Sequence, residues 1–161
     1  MGTTEKPMEH AHRKFKIFVV EDSDIYRDLL ARFIQSINGD HPSQEEEGYD
    51  IRSFRTGEEC ISNLLESPDI VVLDYFLNGH NNDCNAMDGM ETLRQIRMLN
   101  PKTRVVVLTS QGSYQIASVF IRNGASDYIS KEPGVRERFQ RSITRIIRTI
   151  KEEETRKSAL N

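Results

Sequence analysis

The chain has 161 residues, of which 37% are hydrophobic and 29% charged, and this composition predicts one soluble domain with a sizeable core. The formal net charge of −3 gives no overall attraction to nucleic acid, and the 2 cysteines are too few for a disulfide framework. Because the sequence has neither the apolar core of a signal peptide nor a run of membrane-spanning length, we expect a cytoplasmic protein that contacts no membrane.

Polar segments flank the predicted domain. Residues 1–14 predict a flexible N-terminal tail, 15–150 one folded domain, and 151–161 a polar extension of the last helix that should fray. His10 and His12 lie in the tail with no carboxylate or thiol close by in the sequence, so solvation is a better interpretation than metal binding.

Short apolar segments alternate with segments of helical periodicity. The continuous apolar run 70–73 predicts a strand that is buried on both faces. The predicted strands are 15–20, 49–54, 70–74, 105–108 and 128–130. Five strand–helix units in succession predict a parallel sheet covered by helices on both faces, with right-handed crossovers.

Apolar residues at three- and four-residue steps predict the inner faces of the helices. These residues are Ile25, Leu29, Leu30, Phe33 and Ile37 in the first helix; Cys60, Ile61, Leu64 and Leu65 in the second; and Val135, Phe139, Ile143, Ile146 and Ile150 in the last. The third helix is predicted to begin at Asp88-Gly89, to run through Leu93, Ile96, Arg97 and Leu99, and to end before Pro101. A fourth helix is predicted over 113–122. We interpret Cys60 as core filler rather than a reactive thiol.

Polar groups follow four of the five predicted strands: Glu21 with Asp22, Asp74, Thr109 and Lys131. Because the carboxyl ends of parallel strands lie at one edge of a sheet, these side chains should converge. Crowded carboxylates repel one another unless a cation intervenes, and Lys131 together with Mg²⁺ would supply that positive charge. Such a site suits a phosphoryl group, which Asp74 can attack in line while Thr109 offers a hydroxyl.

Five short segments carry a further pattern. They are Val19-Val20-Glu21-Asp22-Ser23, Val72-Leu73-Asp74, Met87-Asp88-Gly89, Val107-Leu108-Thr109-Ser110 and Gly124-Ala125-Ser126-Asp127-Tyr128-Ile129-Ser130-Lys131. In this order and placement they resemble the receiver domain of response regulators (CheY-like) over roughly residues 15–150. The resemblance implies an α/β flavodoxin-like fold, in which a five-stranded parallel sheet of order 2-1-3-4-5 has helices on both faces.

The resemblance also implies a phosphoacceptor site. Asp74 would take a phosphoryl group from a phosphohistidine on a sensor histidine kinase or a histidine phosphotransfer protein. Glu21, Asp22, Asp74 and the backbone carbonyl of Phe76 would hold Mg²⁺. Proteins of this kind catalyse their own phosphorylation and dephosphorylation but act primarily in signalling.

A switch is implied as well. Lys131 would contact the phosphoryl oxygens, Thr109 would swing in to bond them, and Tyr128 would turn inward behind Thr109. The surface of the fourth helix, fifth strand and fifth helix would then change, and a downstream protein target or a second copy in a homodimer would bind it.

A stripe of arginines on the last helix falls nearly opposite its apolar side. It consists of Arg138, Arg141, Arg145 and Arg148. A solvated face is the default interpretation of this stripe, and a switch-dependent contact is the alternative.

Departures from the family pattern include one long loop, and a bulky residue lies next to the phosphoacceptor. The loop over residues 77–87 is longer than usual and would cover the site or serve a partner, although the spacing of His80, Asp83 and Cys84 within it demands no metal. Phe76 is a bulky neighbour of the acceptor, and we hypothesise that it restricts attacking water and prolongs the phosphorylated state.

Other functions fit the sequence less well. A haloacid-dehalogenase-like phosphatase would need a second Asp at position 76, where this chain has Phe76. Nucleotide binding is disfavoured because no Gly-rich fingerprint follows the first strand. A phosphorylation-independent receiver-like scaffold remains open as an alternative. Since only a short tail follows the last helix, we expect a stand-alone receiver whose output depends on docking to a partner.

Overall fold

The computed structural model describes residues 14–37, 48–77, 86–110 and 113–160. His10, His12, His80, Asp83 and Cys84 lie outside the described residues, so the interpretations given for them stay predictions. Among the described residues, no helix is both long enough and apolar enough to cross a membrane.

One parallel sheet of five strands has the predicted order β2-β1-β3-β4-β5. The strands are β1 Phe15–Val20, β2 Tyr49–Phe54, β3 Ile70–Asp74, β4 Arg104–Thr109 and β5 Asp127–Ser130. The helices are α1 Asp24–Ser36, α2 Gly57–Ser62, α3 Gly89–Leu99, α4 Tyr114–Arg122 and α5 Val135–Ala159, with a 3₁₀ turn Leu64–Glu66 after α2. The predicted CheY-like fold is therefore confirmed.

The register of the sheet aligns the carboxyl ends of the three central strands. Val20 of β1 lies opposite Leu73 of β3, and Asp74 lies opposite Leu108 of β4. Thr109, the last residue of β4, pairs with Ser130 of β5. Residues that follow these strands consequently meet at one edge of the sheet.

Two hydrophobic layers cover the sheet because alternate strand residues face opposite sides. One layer packs strand residues such as Val72 against α1 and α5, through side chains including Ile34 and Phe139. The other packs residues such as Val71 against α2, α3 and α4, through side chains including Leu93. Cys60 is fully buried in this second layer, as its position on the predicted inner face of α2 indicated.

Two predicted core positions are wrong. Ile25 is 85% exposed, because the buried line of α1 runs through Leu30 and Ile34 and Ile25 projects to another side of the helix. Leu65 is 97% exposed, since α2 ends at Ser62 and Leu65 belongs to the separate 3₁₀ turn.

Helix α5 continues past Lys151 to Ala159, and the fraying expected of its polar end stays a prediction. Ile150 is the last buried residue of this helix, so the final turns carry polar side chains into solvent. An ion pair between Glu153 and Arg104, with the charged atoms 2.6 Å apart, ties the first of these turns to the start of β4.

Candidate functional site

Three carboxylates meet at the carboxyl edge of the sheet. Glu21, Asp22 and Asp74 each place a carboxylate oxygen within 4.8 Å of the others. Glu21 is almost fully buried, and its backbone N–H donates to the carbonyl of Phe54 at the end of β2, 3.1 Å away. The Arg27 guanidinium donates to the carbonyl of Glu21 at 2.7 Å, so the backbone that carries the acidic pair is held on both sides.

Asp74 lies at the end of β3 with 5% of its surface exposed. The next residue, Tyr75, donates its backbone N–H to the carbonyl of Leu108 at 2.9 Å, which extends the pairing of β3 with β4 past Asp74. The backbone N–H of Phe76 donates to the Asp74 carboxylate. Strand pairing and this hydrogen bond together fix the carboxylate at the sheet edge while leaving part of it open to solvent.

Lys131 bridges two of the carboxylates. Its Nζ atom lies 2.6 Å from Glu21 Oε2 and 3.2 Å from Asp74 Oδ1. The backbone N–H of Lys131 donates to the carbonyl of Thr109 at 2.7 Å, so the residue after β5 is held against the end of β4. The structure thus brings together four of the predicted site residues: both acids after β1, the Asp that ends β3, and the Lys after β5.

The charges of this cluster do not balance. Burial raises the pKa of Asp74 and the pKa of Glu21, and the nearby Lys131 ammonium opposes both shifts. Burial alone would lower the pKa of Lys131, but its hydrogen bond to Glu21 and the charge of Asp74 outweigh burial and raise that pKa. When ionised, three carboxylates against one ammonium leave an excess of two negative charges. A divalent cation would neutralise that excess.

The donor set fits Mg²⁺. All three side chains offer hard carboxylate oxygens, which Mg²⁺ prefers together with retained waters. The acidic cluster Glu21, Asp22 and Asp74 is consistent with the Mg²⁺ site that the resemblance to receivers implies. The part assigned to the backbone carbonyl of Phe76 stays a prediction.

Thr109 and Tyr128 form a pair beside the cluster. Thr109 is fully buried at the end of β4, and a hydrogen bond joins its side chain to that of Tyr128 on β5. Burial raises the pKa of Tyr128, and the hydrogen bond to Thr109 opposes that shift. The two residues named from the sequence as switch residues are therefore in direct contact.

A row of aromatic rings connects this pair to the residue two positions after Asp74. The Phe76 and Tyr75 ring centroids are 4.4 Å apart, and Tyr75 meets Phe120 of α4 edge to face at 5.3 Å. Phe120 lies 6.1 Å from Tyr128. The row provides a packed path from the end of β3 to α4 and β5.

Tyr26 is a residue of the site that the sequence reasoning missed. Its ring centroid lies 4.2 Å from Lys131 Nζ, so the ammonium sits over the face of the ring. The signal in the sequence was its place in the first turn of the helix that starts two residues after Asp22, where a side chain can reach the edge of the sheet. An aromatic residue at helical spacing is usually part of a core, which is why the signal was weak.

Comparison with known proteins identifies the family. The family model described as "Response regulator receiver domain" matches residues 17–144. The chain belongs to the response regulator receiver family. Receiver domains act with histidine kinases in two-component signalling, and an acidic pocket such as Glu21, Asp22 and Asp74 is typical of receivers that accept a phosphoryl group.

Solved receiver structures share this architecture. The signal receiver domain of a putative Luxo repressor protein from Vibrio parahaemolyticus superposes with a TM-score of 0.72 at 25% identity, covering 89% of this chain and 97% of that one. The BeF3-activated DrrB receiver domain gives a TM-score of 0.67 at 25% identity, covering 84% of this chain and 99% of that one.

Curated relatives contain receiver-like segments within longer chains. A protein-glutamate methylesterase/protein-glutamine glutaminase of Rhodospirillum centenum (strain ATCC 51521 / SW) is 28% identical over 145 residues, which covers 84% of this receiver chain and 33% of that protein. Other relatives of comparable similarity are also longer, and the chain spans between 21% and 47% of their lengths.

Proposed function

We propose that this receiver is a phosphoacceptor switch in which Asp74 takes a phosphoryl group from a phosphohistidine. The donor would be a sensor histidine kinase or a histidine phosphotransfer protein. The observation that carries the proposal is the position of the Asp74 carboxylate, which lies 3.2 Å from the Lys131 ammonium and within 4.8 Å of the acids Glu21 and Asp22.

Each residue of the cluster has a separate role in the transfer of the phosphoryl group. An oxygen of Asp74 forms the new bond to phosphorus, the phosphorus–nitrogen bond of the phosphohistidine breaks, and its electron pair stays on the imidazole nitrogen. Lys131 turns its ammonium from Glu21 toward the phosphoryl oxygens. Glu21, Asp22 and Asp74 would hold Mg²⁺, which when bound offsets the negative charge of the phosphoryl group.

The switch follows from the Thr109–Tyr128 hydrogen bond. On phosphorylation the Thr109 hydroxyl turns to a phosphoryl oxygen and releases Tyr128. Since the Tyr128 ring packs next to Phe120 of α4, its movement changes the surface that α4, β5 and α5 share. A downstream protein or a second copy of the chain would read that surface.

The arginines of α5 are not equivalent on this surface. Arg145 pairs with Asp127 of β5 at 2.7 Å, and Arg138 donates to the carbonyl of Ser130 at 2.9 Å, so both support the fold. Arg141 and Arg148 are exposed and are the better probes of a contact with a partner. If charge reversal of these two arginines leaves partner binding and self-association unchanged, the solvated interpretation of the stripe holds.

The proposal is tested by incubating the protein with Mg²⁺ and acetyl phosphate and measuring its intact mass. Wild-type protein should gain one phosphoryl group, whereas Asp74→Asn should gain none. Asp28→Asn, at an exposed position of α1, is the matched control and should be phosphorylated like the wild type. Chelation of Mg²⁺ should abolish the adduct in both active proteins.

The alternative is a receiver-like scaffold that does not depend on phosphorylation. Failure of wild-type protein to form an adduct with acetyl phosphate, and failure to bind beryllofluoride as a phosphoryl mimic, would favour that alternative. If Asp74→Asn still formed an adduct, another residue would be the acceptor, and the assignment of Asp74 as phosphoacceptor would be contradicted.

A further inference from the structure

Tyr26 has a fixed position next to the phosphotransfer site. Ser23 caps the N-terminus of α1, and its side-chain oxygen accepts a hydrogen bond from the Tyr26 backbone N–H at 3.3 Å. The cap holds the first turn of the helix beside the acidic pair, and the Tyr26 ring reaches over Lys131 Nζ at 4.2 Å. The ring therefore covers one side of the ammonium.

Among the described residues, the Lys131 ammonium contacts two carboxylates and one aromatic ring. Glu21 Oε2 accepts a directional hydrogen bond from the ammonium at 2.6 Å, and Asp74 Oδ1 forms an ion pair with it at 3.2 Å. The Tyr26 ring attracts the cation through its electron-rich face, and this attraction varies little as the cation slides across the ring. An ammonium on such a surface can exchange one oxygen acceptor for another without losing its third contact.

The hydroxyl of Tyr26 plays no visible part in this arrangement. Its oxygen atom is buried, and among the described residues it has no hydrogen-bond partner. A buried polar atom without a partner lowers stability compared with a phenylalanine of the same shape. The ring, rather than the hydroxyl, is the part of Tyr26 that contacts a functional group.

We propose that Tyr26 is a positioning residue for phosphotransfer, whose ring holds the Lys131 ammonium at Asp74 and guides it from Glu21 to the phosphoryl group. This role rests on the proposed function of the site. It makes Tyr26 a positioning residue rather than a catalytic one, because the ring would act through the Lys131 ammonium.

Three substitutions separate the ring from simple packing. Tyr26→Phe keeps the ring and removes the hydroxyl, whereas Tyr26→Leu keeps an apolar side chain against the α1–α5 layer and removes the ring. Tyr114→Leu removes an exposed tyrosine from α4 and serves as the control for loss of a tyrosine elsewhere. Thermal unfolding of each variant verifies that it is folded.

The first measurement does not depend on phosphorylation. An N-hydroxysuccinimide ester of acetic acid labels lysine amines, and peptide mass spectrometry follows the labelling of Lys131 over time in metal-free protein. In the Tyr26→Leu variant, the reagent should label Lys131 about fivefold faster than in the wild type, because the ring no longer stabilises and covers the ammonium. Tyr26→Phe and Tyr114→Leu should match the wild type.

The second measurement is the rate of adduct formation from acetyl phosphate at saturating Mg²⁺. Tyr26→Leu should react about fivefold more slowly, with Tyr26→Phe restoring the wild-type rate and Mg²⁺ affinity changing less than about twofold. A general structural defect would weaken Mg²⁺ binding as well, so this combination is specific to Lys131.

The outcomes are distinct. The positioning role would be overturned if Tyr26→Leu had the wild-type labelling rate and the wild-type rate of adduct formation. It would also be overturned if Tyr26→Phe and Tyr26→Leu changed these rates equally. A wild-type protein that forms no adduct would contradict the proposed function instead, and the labelling rates would still decide whether the ring holds the ammonium.

Discussion

A β-carbon added to Gly89 would lie 2.7 Å from the backbone carbonyl oxygen of Asp74, closer than real side chains approach. The N–H of Gly89 also donates to the carbonyl of Tyr75 at 3.2 Å, so the first residue of α3 rests directly on the backbone that follows β3. The Asp88-Gly89 pair thus combines a helix cap, through the Asp88 side chain, with a close approach that a larger residue would prevent.

We expect Gly89→Ala to force α3 away from the end of β3 and to lower the free energy of unfolding by about 1–3 kcal/mol. Urea denaturation measures that change. Gly48→Ala is the matched control, because a β-carbon there would meet the Lys14 side chain at an ordinary distance of 3.5 Å. Equal free energies of unfolding for the two variants would show that the backbone after β3 can move to accept the added β-carbon without loss of stability.

The buried carboxylate of Asp74 makes stability depend on pH. Burial raises its pKa above 3.8, the value for the free side chain, so the stabilising form is the protonated one. The stabilisation is complete below the unfolded-state pKa and is lost as the pH rises through the folded-state pKa. At neutral pH the ionised group therefore lowers the free energy of unfolding compared with a neutral side chain.

In metal-free protein, Asp74→Asn should consequently be more stable than wild type at neutral pH, with Tm about 2–4 °C higher for each kcal/mol gained. The difference should stay constant while the pH is above the folded-state pKa and should shrink as the pH falls through that pKa toward 3.8. Differential scanning calorimetry with a chelator measures it. A lower Tm for Asp74→Asn across this range would show that the ion pair with Lys131 outweighs burial.

Cys60 should be chemically inert in the folded protein. It is fully buried, and burial raises the pKa of its thiol to about 12. In a Cys84→Ser background, a disulfide reagent at about pH 8 should modify Cys60 at least about a hundredfold more slowly in native protein than in urea. Rapid modification of native protein would mean that α2 opens readily.

Substitution of Phe76 tests the hypothesis that its side chain keeps attacking water away from phosphorylated Asp74. Its ring is 42% exposed and packs on Tyr75 beside the acceptor. Phe76→Ala should lose the phosphoryl group about fivefold faster than wild type, which corresponds to a barrier lower by about 1 kcal/mol. The dephosphorylation rate of Phe76→Leu should lie between the rates of wild type and Phe76→Ala. Intact mass followed over time measures the rate. An unchanged or slower rate in Phe76→Ala contradicts the hypothesis.

The sheet and most of the site could be predicted from the sequence because each depends on a local pattern. Continuous apolar runs identified the buried strands, and strand direction alone placed Glu21, Asp74 and Lys131 at one edge. Apolar periodicity was a weaker guide at helix ends. Ile25 and Leu65 match the period, but their exposure depends on where each helix begins or ends relative to the sheet.

Contacts between distant elements could not be predicted in the same way. The ring of Tyr26 over Lys131 joins α1 to the residue after β5, and it depends on the rotation of α1 about its axis. The row from Phe76 and Tyr75 through Phe120 to Tyr128 needs the end of β3, α4 and β5 in place at once. Such contacts come from packing, which no spacing within a single segment specifies.

Helix α5 runs past its last buried residue, Ile150, to Ala159. At about 1.5 Å per residue, that projection is about 13 Å long. It acts as a lever arm, because a tilt of about 10° at Ile150 would displace Ala159 by about 2 Å. A small rearrangement beside β5 would thus be amplified at the far end of the helix, away from the carboxylates of the site.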